Sequence, residues 1–210
     1  MSMKTILCFG DSNTWGYNPV SKSRHEYEDR WVTVLGRELG SGFHVIPEGL
    51  NGRTSTFDDP VEGDKNGRRH LPMLLESHAP LDLVVIMLGT NDLKRRYSAP
   101  AADIAAGVGR LVQIVQKSEA GREASSPRVL VLVPAVLQPL TNLAAVFEGG
   151  TETSYGLETA FEAMCEERGV PCVAIGSAVK YSELDGIHLD AEGQRALGSF
   201  VAPTVKRLLE

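Results

Sequence analysis

The chain has few of the features that mark secreted, membrane or nucleic-acid-binding proteins. Its 210 residues include three cysteines, Cys8, Cys165 and Cys172. An odd number at such wide spacings indicates neither a disulfide framework nor a zinc site. No apolar run is long enough to span a bilayer, and the first residues lead into a strand without a signal-peptide core. These absences predict a cytoplasmic protein that has no membrane partner.

Positively charged residues are also fewer than negatively charged ones. Lys and Arg number 21 against 27 Asp and Glu, which gives a formal net charge of -6. No basic stripe is present, so we expect no nucleic-acid partner. The short clusters Arg68-Arg69 and Lys94-Arg95-Arg96 are interpreted as solvated face or loop charges.

Apolar segments alternate with helical patterns along the whole chain, and we expect one domain over residues 1–210. Strands are predicted at 5–9, 43–46, 81–88, 128–133 and 170–175, and the longer helices at 31–39, 69–78, 101–120, 156–168 and 190–209. Gly121 is the predicted stop of the 101–120 helix. The alternation predicts a three-layer α/β/α fold with a doubly wound, five-stranded parallel sheet of flavodoxin-like type.

Three long segments lack the periodicity of helices or strands. They cover residues 17–29, 54–67 and 139–153 and carry proline, glycine and mixed charge. Loops of this length in compact domains are usually functional. We expect them to shape a binding site and to form contacts in a homo-oligomer.

Four polar patches each follow a predicted strand. They are Asp11-Ser12, Asn51-Gly52, Thr90-Asn91-Asp92 and the segment 184–188. Ligands of open parallel sheets bind outside the carboxyl ends of the strands. We therefore expect all four patches to meet at one edge of the sheet.

The first and last patches contain the residue types of a serine nucleophile and its base. Asp11 and Ser12 both suit a helix N-terminus, where free N–H donors surround an attacking oxygen. A serine hydroxyl needs a base, and His188 has suitable basicity. Asp185 lies three residues earlier, so one tight turn can place its carboxylate against Nδ1 of His188 and leave Nε2 facing Ser12.

The remaining patches supply donors for a negatively charged oxygen. The backbone N–H groups of Ser12 and Gly52 and the side-chain amide of Asn91 are candidates for an oxyanion hole. This chemistry needs no cofactor and no metal. The other four histidines have no partners at metal-ligand spacing, so we expect no metal site.

Each patch has a structural explanation when it is taken alone. The segment 10–12 can be a turn with a helix cap, Asp185 and His188 can be a surface pair, and the segment 89–92 can be a simple turn. The combination favours catalysis, because a non-catalytic flavodoxin-like binding module has no reason to carry the complete set. That binding module remains the non-enzyme alternative.

The four patches also resemble a known family. Gly10-Asp11-Ser12, Gly52, Gly89-Thr90-Asn91-Asp92 and Asp185-Gly186-Ile187-His188 are similar to the four sequence blocks of the SGNH (GDSL-type) hydrolases, in the same chain order. The resemblance spans roughly residues 4–209. It implies a serine nucleophile at position 12, oxyanion-hole residues at positions 52 and 91, and a triad completed by Asp185 and His188.

The segments 6–12, 48–50, 82–92, 147–150 and 185–188 are similar to the bacterial aryl esterase/acyltransferase branch of that family. The resemblance implies a homo-oligomeric serine esterase that hydrolyses short-chain or aryl esters and can transfer acyl groups to alcohols or peroxide. A carbohydrate or thioester deacylase with the same triad is the alternative.

Three further residues bear on the substrate. In the family that the chain resembles a leucine often follows the serine; Asn13 departs from this pattern, which makes it the first candidate for a determinant of substrate preference. Trp15 and Phe147 are weaker candidates for lining an acyl or alcohol pocket, because an aromatic residue is more often part of the core.

Overall fold

The structure, a computed structural model, describes residues 3–210; Met1 and Ser2 of the predicted N-terminal segment lie outside the described residues. Within this range one parallel sheet contains five strands, β1 (Lys4–Gly10), β4 (Phe43–Gly49), β5 (Leu83–Met87), β6 (Arg128–Val133) and β7 (Cys172–Ala174). Their order across the sheet is β4-β1-β5-β6-β7. The short strands β2 (Tyr17–Asn18) and β3 (Ser23–Arg24) form a separate antiparallel hairpin.

Helices cover both faces of the sheet. Their bounds are α1 (Ser12–Trp15), α2 (Trp31–Leu39), α3 (Gly67–His78), α4 (Ala101–Gln116), α5 (Gly150–Ser154), α6 (Leu157–Arg168) and α7 (Ala191–Leu209). Helices α2 and α7 pack against each other, and α4 packs between α3 and α6. The predicted α/β fold class is confirmed. None of the helices in residues 3–210 is long and apolar enough to cross a bilayer.

The predicted end of the third long helix, 101–120, is wrong. Helix α4 ends at Gln116, and Gly121 lies outside it. The Ser118 hydroxyl donates to the carbonyl of Val115 at 2.8 Å, and the carbonyl of Ala120 accepts from Leu81 N–H at 2.7 Å. These bonds replace the helical pattern after Gln116. Two strands are also shorter than predicted, since β5 covers only 83–87 and β7 only 172–174.

The strand order places a topological switch at β1. The chain passes from β1 to its neighbour β4 on one side and then crosses to β5 on the other side. Crevices at such reversals, beside the carboxyl ends of the strands, are the usual ligand sites of doubly wound sheets. Ser12 follows the end of β1 by two residues, so the fold puts it at this crevice.

Candidate active site

Ser12 begins a short helix that is folded tightly onto the end of β1. Its neighbour Asp11 caps α1 by accepting a 2.9 Å hydrogen bond from Asn13 N–H. A Cβ added to Gly10 would lie 2.1 Å from Thr14 Oγ1, so only glycine permits this close return of the chain. Ser12 is 6% exposed and lines the cavity at the sheet edge.

Ser12, His188 and Asp185 lie in one hydrogen-bonded row, as their residue types predicted. His188 Nε2 is 2.9 Å from Ser12 Oγ, and His188 Nδ1 is 2.7 Å from Asp185 Oδ2. Since Asp185 accepts at Nδ1, the neutral imidazole carries its proton there and presents a free lone pair at Nε2 to the serine hydroxyl. The arrangement can remove a proton from Ser12.

The turn between Asp185 and His188 explains why a spacing of three residues suffices. Asp185 Oδ1 accepts hydrogen bonds from the N–H groups of Ile187 and His188, both at 3.1 Å, which leaves Oδ2 for the imidazole. Gly186 has φ +83°, a left-handed conformation that favours glycine. Burial alone would raise the pKa of Asp185, but the hydrogen bond from His188 and the two backbone bonds lower it, so the carboxylate stays charged.

The predicted oxyanion donors border the same cavity as Ser12. Gly52 and Asn91 line it with Ser12 and His188 around a volume of about 270 Å³. Asn91 is 4% exposed, and its Nδ2 is buried without a hydrogen-bond partner. A buried amide donor is rarely left unpaired, so a free donor beside the serine is suited to an oxygen that arrives with a ligand.

The cavity has an apolar wall and a polar wall. Residues of the segment 143–147 and Ile187 form the apolar side, and Phe147 is among them, as the sequence suggested. The polar side consists of Asn51, Glu62, Lys94 and Arg96. The lining therefore offers apolar contacts to an acyl or aryl group and polar contacts to a hydroxylated alcohol.

An ionic network that includes three residues of the polar wall differs from expectation. Lys94 was interpreted as a solvated charge, but it is only 3% exposed and its Nζ lies 2.5 Å from Glu62 Oε1 and 3.5 Å from Asp59 Oδ2. Arg96 Nη1 lies 2.6 Å from Asp59 Oδ1. Burial alone would raise the pKa of Asp59, but backbone hydrogen bonds from Glu62 and Val61 and the bond from Arg96 hold it far below its usual range. The network fixes the 54–67 loop to the segment after Asn91.

Two further buried carboxyls lie beneath the site. Burial raises the pKa of both Asp11 and Asp92 to about 6. Asp92 accepts hydrogen bonds from the Ser55 hydroxyl and N–H, which ties the 54–67 loop to the end of β5. These bonds give Asp92 the role of holding the loop in place.

Two of the aromatic residues near Ser12 differ from expectation. Trp15 does not line the cavity; its ring lies beneath the guanidinium of Arg24, 4.9 Å from the ring centroid. Tyr17, the first residue of the predicted 17–29 loop, lines the cavity, and its ring centroid is 4.3 Å from that of His188. The hairpin of β2 and β3, missed because each strand has two residues, holds Tyr17 there.

Asn13 also differs from the sequence-based interpretation. Its side chain is buried and does not line the cavity, so it cannot select substrates by direct contact. It makes hydrogen bonds to the backbone on either side of His188 instead. Within the described part of the chain, no group of three or more His, Cys, Asp or Glu side chains is placed to bind a metal ion.

Comparison with protein families gives a match over most of the chain. The model of the GDSL-like lipase/acylhydrolase family matches residues 8–196. This range includes Ser12, Gly52, Asn91, Asp185 and His188. A search of curated proteins gave no match.

Solved structures match the fold over nearly its full length. Est24, a carbohydrate acetylesterase from Sinorhizobium meliloti, is 41% identical, with 98% of this chain and 99% of that chain covered and a TM-score of 0.94. A carbohydrate acetylesterase family member from the same organism is 43% identical, with 99% of each chain covered and a TM-score of 0.94. The aryl esterase of M. smegmatis is 41% identical over 98% of this chain and 100% of that chain, with a TM-score of 0.94.

Proposed function

Since this chain belongs to the GDSL-like lipase/acylhydrolase family and is a carboxylic ester hydrolase, we propose that it cleaves small short-chain and aryl esters through an acyl-enzyme on Ser12. The observation that carries the proposal is the row of hydrogen bonds from Ser12 Oγ through His188 to Asp185, at 2.9 and 2.7 Å. A strand-end serine with only a capping role would not need a buried base, His188, that is oriented by the buried carboxylate of Asp185.

In the proposed first half-reaction, His188 Nε2 takes the proton of Ser12 as Oγ attacks the ester carbonyl carbon. The new C–O bond gives a tetrahedral intermediate whose negative oxygen accepts hydrogen bonds from the N–H groups of Ser12 and Gly52 and from Asn91 Nδ2. Asp185 stabilises the imidazolium. The C–O bond to the alcohol then breaks, and the imidazolium proton passes to the departing alkoxide oxygen.

The second half-reaction releases the acid. His188 removes a proton from a water molecule, whose oxygen attacks the acyl carbon, and Ser12 leaves with that proton. An alcohol or peroxide in place of water would give acyl transfer, which the resemblance to the acyltransferase branch implies. The balance of hydrolysis and transfer depends on how well the cavity excludes water from the acyl-enzyme.

Acetylated carbohydrates are the second candidate substrate class. Two of the similar structures are described as carbohydrate acetylesterases. The polar wall of the cavity supports this candidate. Asn51 Oδ1 has no hydrogen-bond partner, and the Glu62 carboxylate is partly exposed. Oxygen atoms of both side chains can accept hydrogen bonds from the hydroxyl groups of a sugar. The apolar wall favours an aryl ester instead.

Replacement of the nucleophile tests the proposal. We expect Ser12→Ala to lower kcat for p-nitrophenyl acetate by at least about 10³-fold and to abolish labelling by a fluorophosphonate. Ser21→Ala removes an exposed serine of the nearby hairpin segment and should behave like the unmodified protein. Wild-type turnover by Ser12→Ala would overturn the proposal. A panel of acetylated sugars, thioesters and aryl esters of rising chain length then ranks the substrate classes by kcat/KM.

Two predictions from the sequence accompany this proposal. We propose a cytoplasmic location and assembly into a homo-oligomer whose long loops shape the cavity. Fractionation of the source cells tests the first, and measurement of the mass in solution, described in the Discussion, tests the second.

A further inference from the structure

The side chain of Asn13 joins the segment that carries the nucleophile to the segment that carries the base. Asn13 Nδ2 donates to the carbonyl of Ile187 at 3.0 Å, and Asn13 Oδ1 accepts from Leu189 N–H at 3.0 Å. One amide therefore contacts the peptide groups on both sides of His188. Asn13 is 2% exposed, so neither bond competes directly with bulk water.

These two partners require an amide with one defined orientation. A backbone carbonyl only accepts hydrogen bonds and a backbone N–H only donates them, so Nδ2 must face Ile187 and Oδ1 must face Leu189. An aspartate can accept from Leu189 but has nothing to donate to Ile187. A leucine of similar size makes neither bond.

The position of Asn13 gives these bonds a role that Asp185 cannot fill. Asp185 orients the imidazole, but it belongs to the same turn as His188 and moves with it. Asn13 is covalently adjacent to Ser12, so its amide fixes the His188 backbone relative to the nucleophile. Gln194 in turn donates to the Asn13 carbonyl at 2.9 Å and accepts from Trp31 N–H at 2.9 Å, which anchors Asn13 to α2 and α7.

We propose that Asn13 is a positioning residue that sets the separation between His188 Nε2 and Ser12 Oγ. The inference rests on the proposed function, because it gives Asn13 a role only where His188 is the base for Ser12. Asn13 does not touch the substrate cavity, so its loss affects the rate of acylation and not substrate binding. Displacement of a reacting group by about 1 Å can lower a rate by about 10²-fold.

The main test replaces Asn13 with leucine. We expect Asn13→Leu to lower kcat for p-nitrophenyl acetate by about 10- to 100-fold while KM stays within about twofold, and to slow fluorophosphonate labelling of Ser12 by the same factor as kcat. The matched control is Ser154→Ala. The Ser154 hydroxyl also accepts from one backbone N–H, of Leu137, and donates to one carbonyl, of Thr151, but it lies away from the cavity. The Ser154→Ala protein should lose thermal stability and keep the native rate of fluorophosphonate labelling at Ser12.

A spectroscopic readout separates positioning from turnover. The ¹⁵N shift of His188 Nε2 reports its hydrogen bond to Ser12, and we expect Asn13→Leu to move this shift toward the value in Ser12→Ala while the Nδ1 signal stays constant. If the native protein has no esterase activity but Asn13→Leu still moves the Nε2 shift, the proposed function fails, whereas the dependence of the distance between His188 and Ser12 on Asn13 is supported.

Two results would overturn the positioning role. One is an Asn13→Leu protein with native kcat and Nε2 shift, whatever its stability. The other is a change in KM alone, which would make Asn13 a specificity residue. If Asn13→Leu does not fold, Asn13→Asp keeps the bond from Leu189, loses the bond to Ile187 and should change the Nε2 shift in the same direction; a native Nε2 shift and labelling rate in that variant would equally contradict the proposal.

Discussion

At the scale of single residues, the site contains a donor that the folded protein leaves unused. Asn91 Nδ2 is buried and has no hydrogen-bond partner, which costs a protein about 1–3 kcal/mol for such a group. The residue lies at the end of β5, in a cavity that also holds Ser12 and His188. A cost of this kind is understandable where the free donor stabilises a charge that forms only during the reaction.

Replacement of Asn91 by alanine should therefore separate activity from stability. We expect Asn91→Ala to lower kcat by about 10²- to 10³-fold, because the tetrahedral intermediate loses one donor. The melting temperature should not fall, since the replacement breaks no hydrogen bond of Nδ2 and removes a buried donor that has no partner. Steady-state kinetics and thermal unfolding of the same preparation measure both effects. An equal fall in stability and activity would indicate that Asn91 supports the fold rather than the oxyanion.

Single residues differ in how far the sequence alone could identify them. The pairing of Asp185 with His188 was predictable, because three residues of local chain determine it. The hydrogen bonds of Asn13 were not, because its partners lie 174 and 176 residues away. The burial of Lys94 was also hidden, since its partner Asp59 stands in an irregular loop 35 residues earlier. The spacing of residues along the chain is enough to predict the contact of Asp185 with His188. The contacts of Asn13 and Lys94 follow only from the tertiary structure.

At the scale of elements, helix α1, which begins at Ser12, rests directly on the backbone of strand β4. A Cβ added to Gly49 would lie 2.0 Å from the backbone nitrogen of Trp15 and 2.5 Å from the carbonyl carbon of Thr14. Backbone atoms cannot move aside as a flexible side chain can. The close contact of β4 with α1 therefore depends on the absence of a side chain at position 49.

We expect Gly49→Ala to lower both stability and activity. Overpacking of this kind costs about 1–3 kcal/mol, and the shift of α1 would also displace Ser12 from His188. Gly42→Ala is the matched control, because a Cβ at that position meets nothing within 4 Å and needs no left-handed backbone. Urea unfolding and kcat/KM measured on both variants test the expectation. Equal behaviour of the two variants would contradict it.

Elements were predictable where one periodicity runs through the whole segment. Strand β5 reads as a continuous apolar run and is buried at every position. The ends of elements were less predictable, as the stop of α4 at Gln116 shows, because Ser118 and the distant Leu81 determine it. The hairpin that holds Tyr17 has two residues per strand and leaves no periodic pattern to detect.

At the scale of the whole molecule, all three long loops contribute to the cavity within a single chain, and the 17–29 loop does so through Tyr17. The 54–67 loop contributes Glu62, and the 139–153 segment contributes the apolar wall that includes Phe147. The fold explains this convergence, since both loops follow strands of one parallel sheet at the carboxyl edge. That the patches would meet was predictable from the alternation of strands and helices. The shape and polarity of the cavity were not, because they depend on irregular backbone.

Large apolar side chains at the tips of two long loops bear on the predicted homo-oligomer. Val20 in the 17–29 loop and Val61 in the 54–67 loop are 70% and 74% exposed in the single chain. Single exposed apolar residues are common, but a contact between copies through these loops would remove both from water. We expect light scattering at micromolar concentration to give a mass at least twice that of the chain.

The double variant Val20→Glu/Val61→Glu should shift that mass toward the single chain, because like charges at a contact oppose association. Met73→Glu changes an exposed residue of α3 outside the loops and serves as the control, with no shift expected. If neighbouring copies cover the cavity, kcat/KM should fall together with the mass in the double variant and stay constant in the control. A fully active protein that scatters as a monomer would contradict the prediction and would leave the loops of each chain as the sole walls of its cavity.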